Sequence, residues 1–375
     1  MSYLRRPSYY KKFQCIASAC TDSCCQGWEI DIDDDTLADY QSVGGAFGER
    51  LMSNIALPEA GMDEPAHFIQ TDQERCPFLN ACNLCDIILT LGEKHISRIC
   101  THHPRFYDWL IDGEEAGLGL CCEAAAALIL EPTGYPEFEL LTTDFPCEVG
   151  DDAAFERELE EMLISMREEL FRILKPETSN IPQNQKLSTL YDHALCLQER
   201  YDRFLFPEFY EDEDRDETRF ANPASDQQSS KIDWDNLFWN EQFLRRLLSF
   251  YEELEINDAQ WYEMLQLMKE HLSHLLAERP AFRSFYADKL YEYEQLAIYF
   301  IYRYLLKARE DDNVFEKVIF TLLSVSMIEL MDIHVWCATG HLDAKQQIDV
   351  CKLYSKEIEY DEDNMLRVSM YLTGR

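Results

Sequence analysis

Eleven of the fourteen cysteines in this chain fall within its first 147 residues, where they recur at short spacings. Thiolates are strong ligands for soft metals, and paired cysteines can also form disulfides, so one of these two chemistries must organise the region. In chain order the cysteines are Cys15, Cys20, Cys24, Cys25, Cys76, Cys82, Cys85, Cys100, Cys121, Cys122 and Cys147.

The redox state of the cellular compartment decides between metal binding and disulfide formation. Disulfide frameworks are typical of small secreted domains, whereas this chain has 375 residues, 46% of them hydrophobic, which is enough to bury one or two sizeable cores. Its first residues lack the apolar run of a signal peptide. We therefore expect a cytoplasmic protein with reduced thiols, in which clustered cysteines are more often metal ligands or redox centres than disulfides.

The net charge of the chain limits the classes of partner that it is expected to bind. There are 71 acidic residues against 34 lysines and arginines, a formal net charge of -37. Such a surface repels phosphate backbones and lipid headgroups, which argues against nucleic-acid binding and favours a basic partner. No stretch reaches the roughly 18 apolar residues of a membrane span, so no transmembrane segment is predicted. We interpret the short basic cluster at the N-terminus as a solvated arm, made of Arg5, Arg6, Lys11 and Lys12.

The chain changes character near residue 150, which predicts a mainly α protein with two domains. Residues 1–150 are irregular and are predicted to form a cysteine-rich metal-binding or iron-sulfur domain with short strands. Within it, alternating apolar and acidic residues predict a strand from Gly27 to Asp33. A helix interrupted by glycines is predicted over 36–55, and a short helix with a turn over 86–99.

Amphipathic periodicity predicts an all-helical domain over 151–375. Its first helix opens with Asp151 and Asp152 as capping acids and ends before Pro176. A polar, acidic insertion at about 208–231 is predicted to be a flexible loop. The predicted helical segments are 151–175, 186–206, 234–255, 258–278, 282–310, 313–337 and 343–357.

The number of cysteines allows two kinds of metal site. A structural zinc takes four ligands, usually as two close pairs, and a [4Fe-4S] cluster takes four thiolates. The excess of cysteine over ligand histidines favours the cluster. His102 and His103 would complete a mixed site with Cys100, although we interpret them as packed or polar histidines. Adjacent cysteines such as Cys24 and Cys25 point to opposite sides of an extended backbone and are not expected to share a metal.

Several of these motifs occur in an order that resembles the flagellin lysine-N-methylases. They also resemble a wider group of zinc- or iron-chelating proteins with a CxxCxxCC-type motif, and together they cover about the first 130 residues. The motifs are Phe13-Gln14-Cys15-x4-Cys20-x3-Cys24-Cys25-Gln26-Gly27-Trp28, Cys76-Pro77-Phe78-Leu79, Leu84-Cys85-Asp86-Ile87, Cys100-x3-Pro104-Arg105 and Leu120-Cys121-Cys122-Glu123-Ala124-Ala125.

The resemblance implies an enzyme, a protein-lysine N-methyltransferase that uses S-adenosylmethionine to methylate lysine side chains of flagellin and depends on an iron-sulfur cluster. Cys82 and Cys122 depart from the family pattern, which leaves open which four cysteines bind the metal. The cysteines that match the family, and that the resemblance implies as its metal-binding set, are Cys15, Cys20, Cys24, Cys25, Cys76, Cys85, Cys100 and Cys121.

The catalytic residues are less clearly marked. A lysine ammonium, with a pKa near 10.4, must lose its proton before it can accept a methyl group. Glu123, beside the last cysteine pair, is the candidate catalytic residue, and a structural carboxylate is the alternative. The segment from Gly44 to Gly48 lacks the strand-turn-helix context of a nucleotide-binding fold. The Cys20-x3-Cys24-Cys25 spacing also differs from that of radical S-adenosylmethionine enzymes, so the methyl donor binds either at an open iron or in an unidentified pocket.

Two functions without methyl transfer stay open at this stage. One is a zinc-stabilised adaptor or interaction protein, in which the metal only folds the N-terminal half and the helical domain binds a partner. The other is an iron-sulfur electron-transfer protein. The metal content and the transfer of a labelled methyl group to flagellin separate these functions from a methylase.

Overall fold

A computed structural model of the chain describes residues 2–58, 64–131, 135–143, 153–175, 181–210 and 233–373. The predicted domain boundary at residue 150 lies outside these ranges, as do Cys147 and the capping acids Asp151 and Asp152. Most of the predicted acidic insertion also lies outside them. Its first residues are described and belong to a short 3-10 turn, Pro207–Phe209.

The described residues of the N-terminal half form two small sheets and five short α-helices. One sheet has the strand order β5-β6-β1-β7, in which β1 is parallel to β6 and the other pairs are antiparallel; the second has the order β2-β4-β3. The strands are β1 (Ser2–Pro7), β2 (Asp31–Ile32), β3 (Ile55–Ala56), β4 (Ala66–Phe68), β5 (Arg105–Leu110), β6 (Gly113–Leu118) and β7 (Phe138–Thr143). The helices are α1 (Asp34–Ser42), α2 (Gly45–Ser53), α3 (Asp86–Leu91), α4 (Arg98–His102) and α5 (Glu123–Ile129).

The basic cluster near the N-terminus is not a solvated arm, and that interpretation is wrong. Its arginines lie in β1, an inner strand between β6 and β7. Arg5 is 3.8 Å from Glu115 and also pairs with Glu168, while Arg6 pairs with Glu139. These carboxylates come from much later in the chain. The basic residues are therefore neutralised by partners that local sequence does not reveal.

Glycines shorten two of the predicted elements. The strand predicted from Gly27 to Asp33 is limited to Asp31–Ile32, because Gly27 adopts a φ of 83° that bends the chain out of the sheet. The predicted helix over 36–55 is two helices, with Gly45 at a φ of 74° between them. Gly48 allows the close approach of the two helices, since a Cβ there would lie 1.9 Å from the carbonyl oxygen of Val43.

One side chain, Asp33, caps two helices in this half. Its Oδ1 accepts a hydrogen bond from the backbone N–H of Thr36 at 3.2 Å, which caps α1. Its Oδ2 accepts the N–H of Arg98 at 2.8 Å, at the start of α4. The orientation of α4, which carries Cys100, therefore depends on a carboxylate at the end of β2.

Replacement of Asp33 tests whether this one carboxylate stabilises both α1 and α4. Asp33→Ala is expected to lower the free energy of unfolding by about 1–2 kcal/mol, because two helix N-termini lose their acceptor. Urea denaturation with linear extrapolation measures the change. Asp34→Ala, in the first turn of the same helix, is the matched control and should cost less than half as much. Equal losses for the two variants would contradict the capping role of Asp33.

The C-terminal half is helical, as predicted. A π-helical segment, Ser355–Glu359, follows α14. The helices are α6 (Ala153–Leu174), α7 (Gln183–Leu205), α8 (Trp234–Phe238), α9 (Glu241–Tyr251), α10 (Ala259–Phe285), α11 (Tyr291–Tyr304), α12 (Ala308–Asp311), α13 (Val314–Thr339), α14 (Ala344–Tyr354) and α15 (Glu362–Thr373). Two differences from the prediction stand out: α10 continues through Pro280 because Phe282 extends its buried face, and α15 was not predicted.

Among the described residues, one helix is long and apolar enough to cross a membrane by length and composition, namely α13. This helix is the one exception, within the described part of the chain, to the prediction that no stretch is long and apolar enough for a membrane span. However, 89% of its most apolar window is buried inside the fold, where α13 packs against α7, α10, α11 and α14. A helix that is apolar on all sides is also the typical central helix of a large core.

Two hydrophobic cores result. The larger core joins the four-stranded sheet and α5 to the helices of the C-terminal half, with Leu118, Leu120 and Ala125 packed among helical residues. The smaller core is built from residues between Ile30 and Ile87. This smaller core holds the three-stranded sheet, α1, α2 and the cysteines described next.

Candidate functional site

Four cysteines surround the smaller core. Cys76 is buried within it, and Cys25, Cys85 and Cys100 pack against it from three other segments of the chain. Tyr40 is fully buried in the same core, and the ionisation of its hydroxyl is disfavoured by burial and by the nearby thiols of Cys100, Cys85 and Cys76. The fold therefore brings together cysteines that are separated by up to 75 positions in sequence.

Backbone hydrogen bonds position three of these cysteines. The N–H of Cys76 donates to the carbonyl of Cys25 at 2.8 Å, next to a bridge between the two segments. Leu79 and Cys85 form a second bridge, which closes a hairpin from Cys76 to Cys85. Cys82 lies exposed at the tip of this hairpin. The fourth member, Cys100, is held in α4 by the Asp33 cap.

The four thiols influence one another's ionisation. Burial raises the pKa of Cys76 to about 12 and that of Cys100 to about 11, and the neighbouring thiols Cys25 and Cys85 add to both shifts. Burial and Cys25 also raise the pKa of Cys85. The exception is Cys25, whose pKa is lowered to about 7 because it accepts a hydrogen bond from Cys24. A bound metal ion is the usual means of keeping such a group of thiols deprotonated.

The four sulfurs are neighbours rather than a finished coordination shell. Within the described ranges, no three histidine, cysteine, aspartate or glutamate side chains are arranged to hold a metal ion in this conformation. We refer to Cys25, Cys76, Cys85 and Cys100 as the four-thiol group.

Cys24 and Cys25 do not point to opposite sides. Their thiols are hydrogen bonded to each other, and the contact raises the pKa of Cys24. The expectation of opposite directions assumed an extended backbone, whereas both residues lie in a turn. Trp28 secures the turn, since its indole Nε1–H donates to the carbonyl of Cys24 at 2.8 Å.

A second set of cysteines lies around Glu123. The thiol of Cys20 donates to Oε2 of Glu123 at 3.6 Å, and the backbone N–H of Thr21 donates to the same oxygen at 2.9 Å. Burial raises the pKa of Cys122, with Cys15 and Glu123 adding to the shift. Burial opposes the ionisation of Glu123, but the donors of Thr21 hold its pKa below the usual value. These contacts show that Glu123 anchors the cysteine loop.

Cys121 and the two histidines have other surroundings. Burial raises the pKa of Cys121 to about 12, and its neighbours are Tyr360, Arg303 and Cys122 rather than the four-thiol group. The ring of His103 lies 6.3 Å from that of Trp28 and 6.4 Å from that of Tyr360, and burial lowers its pKa to about 4. His102 packs near Tyr107. His103 is thus a packed histidine and His102 an exposed polar one, which agrees with the interpretation of the pair as packed or polar.

An ion pair connects the cysteine loop to the C-terminal helices. Asp22 pairs with Lys356 in the π-helical segment and lies 3.7 Å from Lys352 of α14. Burial opposes the ionisation of Asp22, but the Lys356 ammonium holds the pKa of this carboxyl below its usual value. π-Helical turns are rare and occur frequently at functional sites. This junction was not foreseen from sequence, because its partners are more than 300 positions apart.

Sequence reasoning also missed a polar cluster behind this segment. The hydroxyls of Tyr299 and Tyr304 both donate to Oε1 of Glu359 at 2.8 Å, and Arg303 lies 3.3 Å from the same oxygen. The Arg303 guanidinium also lies 4.9 Å from the centre of the Tyr360 ring. We refer to Tyr299, Arg303, Tyr304, Glu359 and Tyr360 as the junction cluster. Three of its members, Tyr299, Arg303 and Tyr304, lie in α11.

The glycine-rich segment has no nucleotide-binding geometry. Gly44 caps α2, and α1 rather than a strand precedes it. Among the described strands, the single parallel pair is β1 with β6. This agrees with the prediction that the segment lacks the context of a doubly wound fold.

The chain thus combines a thiol-rich N-terminal region with a large helical domain, and comparison with known proteins identifies its class as protein-lysine N-methylases. The family of the FliB lysine N-methylase C-terminal domain matches residues 156–373. The chain therefore belongs to the FliB lysine N-methylase family, as the motifs had implied. The match lies in the helical half, so the resemblance to the CxxCxxCC-type group stays a prediction.

Relatives match a shorter part of the chain. It is 29% identical to the flagellar biosynthetic protein FliU of Salmonella muenchen over 126 residues, which are 33% of this chain and 75% of FliU. It is 28% identical to the lysine-N-methylase of Salmonella typhimurium and 29% identical to that of Salmonella choleraesuis, in both cases over 33% of this chain and 31% of the relative. The chain thus matches about a third of the length of these two methylases. No solved structure matches it.

Proposed function

We propose that this protein is a cytoplasmic enzyme that transfers methyl groups from S-adenosylmethionine to lysine side chains of flagellin. We further propose that its activity depends on an iron-sulfur cluster held by Cys25, Cys76, Cys85 and Cys100. The observation that carries the proposal is the family match over residues 156–373. The name of FliU, a flagellar biosynthetic protein, supports a flagellar substrate.

The donor set supports the cluster. Four thiols from separate segments converge on one small core, and thiolate-only coordination by four cysteines is typical of [4Fe-4S] clusters. Tetrahedral zinc uses the same number of ligands and is the alternative metal. When bound, an iron-sulfur cluster supplies redox-active iron, which zinc does not. Cys82 is exposed, and Cys15 and Cys20 lie near Cys122 and Glu123 instead. Cys24 adjoins the group of four through its contact with Cys25.

The chain's own residues favour a lysine-rich substrate. With a formal net charge of -37, the surface attracts basic segments over distances of about 10 Å at moderate salt. Methyl transfer further requires an environment that removes water and favours the neutral amine. The buried polar groups at the junction between the two halves provide such an environment.

Anaerobic purification followed by a transfer assay tests the proposal. We expect brown protein containing iron and sulfide, and label from methyl-labelled S-adenosylmethionine on lysines of flagellin from the same organism. Mass spectrometry locates the label, and flagellin with its surface lysines changed to arginine is the control. Iron-containing protein that transfers no label would support electron transfer and overturn the methylase proposal. Colourless protein with stoichiometric zinc and no transfer would support the adaptor.

A further inference from the structure

Glu359 has one fully engaged oxygen and one oxygen without a partner. Its side chain is completely buried. Oε1 accepts hydrogen bonds from Tyr299 and Tyr304 and lies near Arg303, whereas no described group donates a hydrogen bond to Oε2. A buried carboxylate oxygen without a donor is costly, and in native proteins it calls for an explanation such as a missing ligand. The free oxygen is suited to a hydrogen-bond donor, above all a charged one.

The surroundings of Glu359 match the needs of a lysine amine. Two hydroxyls and a guanidinium hold the carboxylate in place, so its free oxygen is oriented before any ligand arrives. The positive charge of Arg303 and the low dielectric of the site both favour the neutral form of an amine placed there. The carboxylate therefore binds the ammonium, while Arg303 and burial limit how strongly this contact stabilises the charged form.

The location links this carboxylate to the thiol-rich half. Tyr360 follows Glu359 directly and is 42% exposed, and its ring centre lies 4.9 Å from the Arg303 guanidinium that pairs with Glu359. Its ring also neighbours His103, three residues beyond Cys100 of the four-thiol group. A lysine side chain that displaces the Tyr360 ring would bring its nitrogen to the boundary between the helical domain and the proposed cluster.

We propose that the free oxygen of Glu359 binds the ammonium group of the lysine to be methylated, with Tyr360 covering the entrance. This inference rests on the proposed function and adds the residue that recognises the substrate's charge. It assigns Glu359 to substrate contact and Tyr299, Arg303 and Tyr304 to its positioning.

The test compares two flagellin peptides that differ only in charge, one with the target lysine and one with norleucine in its place. Fluorescence anisotropy with the complete metal-loaded protein measures both affinities. We expect the wild type to prefer the lysine peptide by about 10- to 100-fold, the range of a hydrogen bond to a charged group. In Glu359→Gln the preference should fall below about 3-fold, since the amide carries no charge. If Glu359 had only a structural role, the substitution would lower the affinity for both peptides equally.

Two further variants keep the test decisive. Glu357→Gln is the matched control, because Glu357 is equally buried in the same π-helical segment and also has one oxygen without a hydrogen-bond partner, but its other oxygen accepts the N–H of Asn257 and it lies outside the junction cluster. It should keep the wild-type preference. Glu359→Asp retains the charge beside Arg303 and should fold while losing most of the preference. If Glu359→Gln and Glu359→Asp both keep the wild-type preference and the wild-type kcat/KM, the inference is overturned. A wild-type protein that methylates no lysine overturns the proposed function instead.

Discussion

Replacement of Arg167 by alanine is expected to lower the free energy of unfolding by about 3–5 kcal/mol. Arg167 lies in α6, is completely buried, and donates to Glu115 of β6 at 2.6 Å from NH1, with NH2 donating to the other carboxylate oxygen. Its removal leaves Glu115 buried beside Arg5 alone, 3.8 Å away. The pair joins the sheet to the helical domain, so chemical denaturation should show a lower midpoint.

A second arginine of α6 provides the control. Arg157 forms a two-pronged ion pair with Asp112, but these side chains are 36% and 43% exposed. Arg157→Ala should therefore cost no more than about 1 kcal/mol, as is usual for exposed pairs. The double variant Arg167→Ala with Glu115→Ala should recover part of the loss, because no unpaired charge stays buried. If Arg157→Ala and Arg167→Ala lowered the free energy of unfolding by similar amounts, the larger effect expected for the buried ion pair would be contradicted.

The second large effect is expected from Cys76→Ala. Changes to groups that merely support metal ligands cost about 10- to 100-fold in affinity, so loss of a buried ligand should cost at least about 100-fold. Anaerobically purified variant protein should contain little iron and transfer no methyl group. Iron analysis, visible absorption and the methyl-transfer assay measure these losses, and circular dichroism reports whether the helical domain keeps its fold.

The same hairpin offers a matched control for this prediction. Cys82 lies exposed at its tip, six residues from Cys76, and is not part of the four-thiol group. Cys82→Ala should keep wild-type metal content and activity. Full iron content in Cys76→Ala would rule out the proposed ligand set. Loss of iron in Cys82→Ala would extend the ligand set to the exposed tip.

Local patterns in the sequence predicted the helical half and the family. The helices α6 and α7 follow from their apolar periodicity, which depends on residues only three or four positions apart. The family followed from short cysteine motifs. Its match, however, lies in residues 156–373, a region in which the sequence alone showed no motif. The chemical character of that region depends on Glu359 and Tyr299, which lie 60 positions apart.

Long-range pairing accounts for what could not be predicted. Spacing indicated eight candidate metal ligands, but the group of four depends on the bridge between Cys25 and Cys76 and on the Asp33 cap of α4. From composition alone, a short basic segment near the N-terminus is expected to be exposed to solvent. Only its pairing with two later strands shows that it is an inner strand.

The place of β1 in the sheet has a consequence for the order of folding. Its partners are Gly113–Glu115 in β6 and Phe138–Thr143 in β7, so β1 pairs with segments that are synthesised more than a hundred residues later. The hydroxyl of Tyr302 then donates to the carbonyl of Arg5, which ties the strand to α11. Closing such distant contacts is slow because loop entropy is lost before contacts form. The four-stranded sheet should therefore acquire its final shape only after α11 has emerged from the ribosome.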